Sequence, residues 1–203
     1  MYYILRYDMD SIDELIEEGK NYIYAEQSNL EEIEYPGIKK GWFGTIDLIQ
    51  KDYIEWPDNV EFYYSSKASS RESDYLLNVD RWLIVHRRVK ETLEHENIQG
   101  LRFYNIKLID VVTNKINTNY YFVYVENFID IFDMEKSSYR YYEDDNLYVF
   151  TPMKTCIDAD KCEGYDIFRS DKDEAAIYVS ERFYEIIKKN GFSGFAFYEQ
   201  LIS

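Results

Sequence analysis

The apolar residues of this chain come in short aromatic and β-branched runs, fenced by turn signals, and that pattern restricts the fold more than any other feature. Tyr2–Tyr7, Thr45–Gln50, Val60–Tyr64, Trp82–Val85, Leu101–Ile109, Tyr120–Val125, Leu147–Phe150, Tyr165–Phe168, Ile177–Val179 and Gly194–Tyr198 read as strands. Pro36-Gly37, Trp56-Pro57-Asp58-Asn59, Thr113-Asn114 and Asn117-Thr118-Asn119 read as turns. Three segments carry helical spacing. In the first, Ser11 and Glu14 form a capping box, Ile12, Leu15 and Ile16 share a face, and Gly19 stops the helix. The second runs from Arg87 to Glu96 with Val89 and Leu93 one turn apart. The third runs from Glu181 to Lys189, capped by Ser180 and ended by Asn190-Gly191, with Lys188 and Lys189 complementing the dipole. So few helices cannot supply regular βαβ alternation. The pattern predicts an α+β fold of mostly antiparallel sheets with helices on one side.

With 203 residues, 46% of them apolar and 18% aromatic, the chain can bury a core and is not disordered. The texture changes near Asp80. The expectation is an acidic N-terminal lobe, 1–80, and a second lobe, 81–203, packed as one unit. Asn29–Lys40 and Cys156–Gly164 read as loops, and the small polar stretch Ser65–Ser73 as a mobile one.

Two stretches of the second lobe correspond without a gap. Val85, Arg88, Glu91, Gly100, Phe103 and Tyr104 recur, each 94 residues later, as Val179, Arg182, Glu185, Gly194, Phe197 and Tyr198. Core positions match in kind, as in Leu83/Ile177, Val89/Phe183 and Leu93/Ile187. The expectation is a duplicated strand–helix–strand unit over 82–104 and 176–198.

An Ile/Val-rich strand, a Ser-x-Arg-type helix start and Gly-x-x-Phe-Tyr occur in that order. With Ser73-Asp74-Tyr75-Leu76, Tyr120–Val125, Ile129–Asp133 and Asp166–Arg169 they resemble family eleven of the immunity proteins of bacterial polymorphic-toxin systems. The resemblance covers roughly 73–198. It implies a cytoplasmic protein that protects its cell by binding a cognate toxin, and it carries over no site residues.

Chemistry-bearing motifs are sparse. His86 and His95 are the only histidines, and helical geometry turns them to opposite sides. His86 falls at a strand-to-helix junction, where capping is expected. Gly-x-Ser-x-Gly, Gly-x-Gly-x-x-Gly, P-loop and His-Glu-x-x-His motifs do not occur. Asp158–Gly164 opens like a calcium loop but has Glu163 where the sharp turn needs Gly and Arg169 where the closing acid belongs. Cys156 and Cys162 lack two further soft ligands, which disfavours zinc, and are expected as free thiols. Asp110 and Asp133 follow apolar runs and are expected to cap turns. No catalytic residues, cofactor or metal are expected.

Charge says more. Lys and Arg number 23 and Asp and Glu 39, a net charge of −16. That balance disfavours nucleic acid and favours a basic partner. Ten acids against the single base Lys20 fall within 8–34. Aromatics interleave just beyond. Glu31, Glu32, Glu34, Tyr35 and Trp42 are therefore the expected partner-binding residues, the acids speeding encounter and the aromatics supplying short-range energy. No stretch is long and apolar enough for a membrane helix, and no signal-peptide pattern opens the sequence, so a cytoplasmic location is expected. The favoured function is neutralisation of a basic toxin by stoichiometric binding. The competing one is a ligand-binding domain or enzyme with a pocket near His86 and the 156–164 loop.

Overall fold

The computed structural model describes residues 1–9, 22–30, 39–40, 46–47, 56, 59–69, 71–144, 147–151, 154–170 and 172–203. The expected helix around Ser11–Glu18, residues 10–21 and 31–34 of the acidic run 8–34, and most of Asn29–Lys40 fall outside them. Of Thr45–Gln50, Ile46–Asp47 is described as a strand, paired with Lys39–Lys40.

Two sheets carry the long helices. β1 (Tyr2–Tyr7), β9 (Ile167–Ser170), β10 (Asp173–Ser180) and β11 (Phe195–Glu199) form a four-stranded antiparallel sheet in the order β9-β10-β1-β11. β3 (Ile84–His86), β4 (Leu101–Asn105) and β6 (Tyr120–Val125) form a three-stranded antiparallel sheet in the order β3-β6-β4. In both, the helix joins the strands that flank the central one: α1 (Arg87–His95) between β3 and β4, α3 (Glu181–Lys189) between β10 and β11. The central strands sit alike. Tyr121 lies opposite Val85 and Asn105, and Tyr3 opposite Val179 and Glu199.

Each helix forms for local reasons and stays for packing. The His86 Nδ1 accepts the Arg88 amide at 3.3 Å, and the Ser180 hydroxyl accepts the Phe183 amide at 3.2 Å, satisfying first-turn donors. Val89 and Leu93 of α1, and Phe183, Ile186 and Ile187 of α3, enter one shared core with Leu5, Tyr7, Val123, Val125 and Val179. Burying each such side chain is worth about 1.5–3 kcal/mol. The loop before β11 needs glycine: Gly194 has φ 85°, and a Cβ there would meet the Tyr75 carbonyl oxygen at 2.7 Å.

Alternation along the central strands sends their other faces elsewhere. Tyr120, Phe122 and Tyr124 of β6 join a second core with Phe62, Leu76, Trp82 and Leu108. Tyr2 and Ile4 of β1 pack on a third, formed by Ile131, Phe132, Ile157, Cys162, Phe168 and Tyr178. The second core is closed by β2 (Glu61–Tyr64) and β5 (Lys107–Asp110), which pair in parallel within the order Ile116–Asn117, β5, β2, Gln27–Ser28. Over the third lies an antiparallel ribbon of β7 (Tyr139–Tyr142) and β8 (Leu147–Phe150).

Two expectations are corrected. Leu101–Ile109 is two strands, because the chain leaves one sheet for another at the buried Ile106. Cys156–Gly164 is a strand, Cys156–Ile157, followed by the one-turn helix α2 (Ala159–Cys162), with both thiols free and buried. The charges there alternate with apolar residues, so the segment turns Ile157 and Cys162 into the third core while Asp160 and Glu163 stay exposed.

Candidate partner-binding surface

Glu31, Glu32, Glu34, Tyr35 and Trp42 lie outside the described residues. His86, Asp110, Asp133, Cys156, Asp158 and Cys162 are within them.

His86 caps α1 through Nδ1, sets its ring edge-on against Tyr120, and brings Nε2 to 4.0 Å from Glu72. Beside it Asp74 receives both guanidinium arms of Arg88 and the amide and hydroxyl of Ser193, at 2.8 and 3.0 Å. Burial works against the Asp74 carboxylate, but those hydrogen bonds outweigh it and hold its pKa below the ordinary value. Asp110 likewise is buried yet held well below the usual carboxylate range, by Thr113, Ser66 and Val112 closing a turn on it. Asp133, stabilised first by Lys136, accepts two amides of the next turn. Both acids therefore cap turns, as expected from their positions.

Asp158 accepts the Asp160 amide as the N-cap of α2 and pairs with Lys161 at 3.5 Å. Burial pushes the Cys162 thiol up to about 12, which keeps it protonated and unreactive at neutral pH. Among the described residues, no three His, Cys, Asp or Glu side chains converge as a metal site would need. Two open depressions lie among the described residues. One, of about 330 Å³, is lined by Arg87, Asn105, Lys107, Thr118 and Tyr121 among others. The other, of about 310 Å³, lies at the start of α3 with Tyr2, Tyr165, Asp166 and Arg182. Neither takes in His86, and of the 156–164 segment only Gly164 lines the second.

The outer surface is more distinctive. All four residues of β7 are exposed, and Tyr142 and Leu147, which lie opposite each other, are 45% and 50% exposed. Tyr141 and Val149 are open to a similar degree. The sequence pattern predicts β8 as a strand but not β7. The signal is present in the sequence: Glu143-Asp144-Asp145-Asn146 is a polar stretch between two aromatic runs. Reading Tyr-Arg-Tyr-Tyr as a strand required accepting a ribbon with little to bury.

A model of the immunity protein family Imm11 matches residues 3–201 of the chain. No curated protein matches it.

Proposed function

Because the chain belongs to the immunity protein family Imm11, we propose that it neutralises a cognate basic protein toxin in the bacterial cytoplasm, by stoichiometric binding without turnover. The match across almost the whole chain carries this reading. A net charge of −16 supports the basic character of the partner, since opposite fields speed encounter and disfavour wrong complexes. The engagement of His86, Asp74, Asp110 and Asp133 in caps and clamps supports a structural use of the polar groups that might otherwise suggest chemistry.

The acidic N-terminal run is assigned the long-range part of this attraction, with Glu31, Glu32 and Glu34 its proposed contributors and Tyr35 and Trp42 short-range contacts. We also read the two helix-bearing units as copies of one element. In support, β3 and β10 both end, α1 and α3 both begin and end, and β4 and β11 both begin and end at positions 94 apart. The central strands, Tyr-Tyr-Phe-Val-Tyr-Val and Tyr-Tyr-Ile-Leu-Arg-Tyr, resemble each other as well. Since β1 completes a sheet made otherwise from residues 167–199, the two ends of the chain are proposed to fold as one unit.

The test is co-expression with the toxin encoded beside the chain. Protected cells, and a complex that co-elutes on purification, are the expected outcome. Death of cells that contain soluble chain would refute the reading.

A further inference from the structure

The β7–β8 ribbon uses aromatic residues as no other described part of the molecule does. Elsewhere most described tyrosines and phenylalanines lie in or against the cores, with Tyr24, Tyr165 and Tyr198 exposed at separate places. Here they form a projecting two-stranded ladder. Its root is fixed: the Phe150 ring lies 4.1 Å from that of buried Phe132, and the Thr151 amide donates to the Ser138 carbonyl at 2.8 Å. From that root one face carries a row of rings, Tyr139 to Phe150 at 5.8 Å, Tyr139 to Tyr148 at 5.6 Å, and Tyr148 to Tyr141 at 4.6 Å. The opposite face presents Arg140 with Val149 and Tyr142 with Leu147. The turn beyond Tyr142 begins with exposed Glu143 and Asp144.

An isolated ribbon of this size is marginal in water, and its exposed cross-strand pairs add little to its stability there. Tyrosines around an apolar centre with charge at the rim are, however, what protein interfaces use. The sign of the rim selects the partner. Tyrosine faces attract cations, and this chain's own rings already take them: Lys172 lies 5.9 Å from the Tyr148 centroid, Lys90 5.4 Å from Tyr121, and Arg71 4.7 Å from Tyr22. Glu143 and Asp144 add the ion pairs, and the −16 net charge adds the field.

We propose that the β7–β8 ribbon is the docking element for a basic face of a protein partner. Tyr142, Leu147 and Val149, which share one face, form its apolar centre, the Tyr142 ring stacks on the partner's Arg or Lys side chains, and Glu143 and Asp144 pair at the rim. This rests on the toxin-binding reading above and adds the surface to it.

The experiment compares three variants with the unsubstituted chain, using the purified toxin domain encoded beside it, rendered inactive, as the probe in surface binding at several salt concentrations. Tyr142→Ser with Leu147→Ser should weaken binding at least 30-fold, mainly through faster dissociation, with the thermal midpoint unchanged. Glu143→Lys with Asp144→Lys should slow association several-fold at low salt and less at high salt. Val111→Ser with Ile116→Ser removes equally exposed apolar groups from the β5 hairpin and should leave binding unchanged.

Failure of the unsubstituted chain to bind would overturn the toxin-binding reading, and this inference with it. Tight binding by both ribbon variants would overturn this inference alone. So would equal losses in the Val111/Ile116 variant, or ribbon variants that change only the association of the chain with its own copies.

Discussion

The α1 and α3 units place the same clamp at the same point and connect it differently. In each, an aspartate on the adjoining segment accepts the amide of the helix N-cap residue through its carbonyl, Asp74 from His86 at 2.8 Å and Asp166 from Ser180 at 2.9 Å. In each, its carboxylate takes the arginine of the second helical position, Arg88 or Arg182. Both arginines also reach the far end of the other helix: Arg182 donates to the Glu96 carbonyl, and Arg88 stacks 5.1 Å from Phe192. The caps then diverge. Ser180 can donate its hydroxyl to Asp166 at 2.7 Å while accepting from Phe183, so the Asp166 carboxylate draws its partners from its own unit. His86 uses Nδ1 as an acceptor and offers Asp74 no such donor. Asp74 instead takes the amide and hydroxyl of Ser193, beyond α3, and its side chain is 4% exposed against 20% for Asp166. One residue at the cap thus decides whether the acid below it holds a helix or holds two units together.

The largest effect should come from removing that bridge. Asp74→Ala strands Arg88 and takes the acceptor from the Ser193 amide and hydroxyl, whose oxygen keeps only the residue-74 amide, so it should cost about 2–3 kcal/mol, where Asp166→Ala should cost about 1 kcal/mol. Urea midpoints of the two variants measure the difference; equal losses would mean that Asp74 does not bridge. The same contrast has a pH signature. Asp74 has a lowered pKa in the folded state, so its contribution is complete above the unfolded value of about 3.9 and is lost as pH falls through the folded value. Stability should fall in that acid range, and Asp74→Asn should flatten the fall. Next in size, Ser180→Ala removes a cap acceptor and a donor to Asp166, for about 1 kcal/mol, whereas His86→Ser should change stability by less than about 0.5 kcal/mol. Smallest of all, His86→Ala with His95→Ala should leave protection of toxin-exposed cells unchanged while the chain stays folded; lost protection in a folded double variant would point to chemistry at His86.

Much of this architecture was legible because local signals agreed. Val89 and Leu93 at one-turn spacing, and Ser180 ahead of Phe183, Ile186 and Ile187, fix the helices to within a residue. Turn-capping by Asp110 and Asp133 followed from an acid placed just after an apolar run. The break at Ile106 did not, because Leu101–Ile109 is apolar and aromatic throughout and only the sheet on each side tells the two strands apart. Nor did the pairing of β1 with strands more than 170 residues away, since sequence alternation states which face is buried but not against what. The acid–arginine clamps were also invisible. Asp74 and Arg88 look like ordinary surface charges until the segment carrying Tyr75 docks beside Val85. The candidate surface was half legible: Leu147–Phe150 read as a strand, but an exposed partner strand of Tyr139–Tyr142 leaves no core pattern to detect.

Titration of a fixed amount of the active toxin with the purified chain is the most direct test of neutralisation by binding alone. Toxin activity should fall linearly to zero at one chain per toxin, and toxin separated from the complex under denaturing conditions and refolded should be chemically intact and fully active. Complete inactivation at a small fraction of that ratio, or recovery of a covalently altered toxin, would contradict it and make the chain an enzyme acting on its partner.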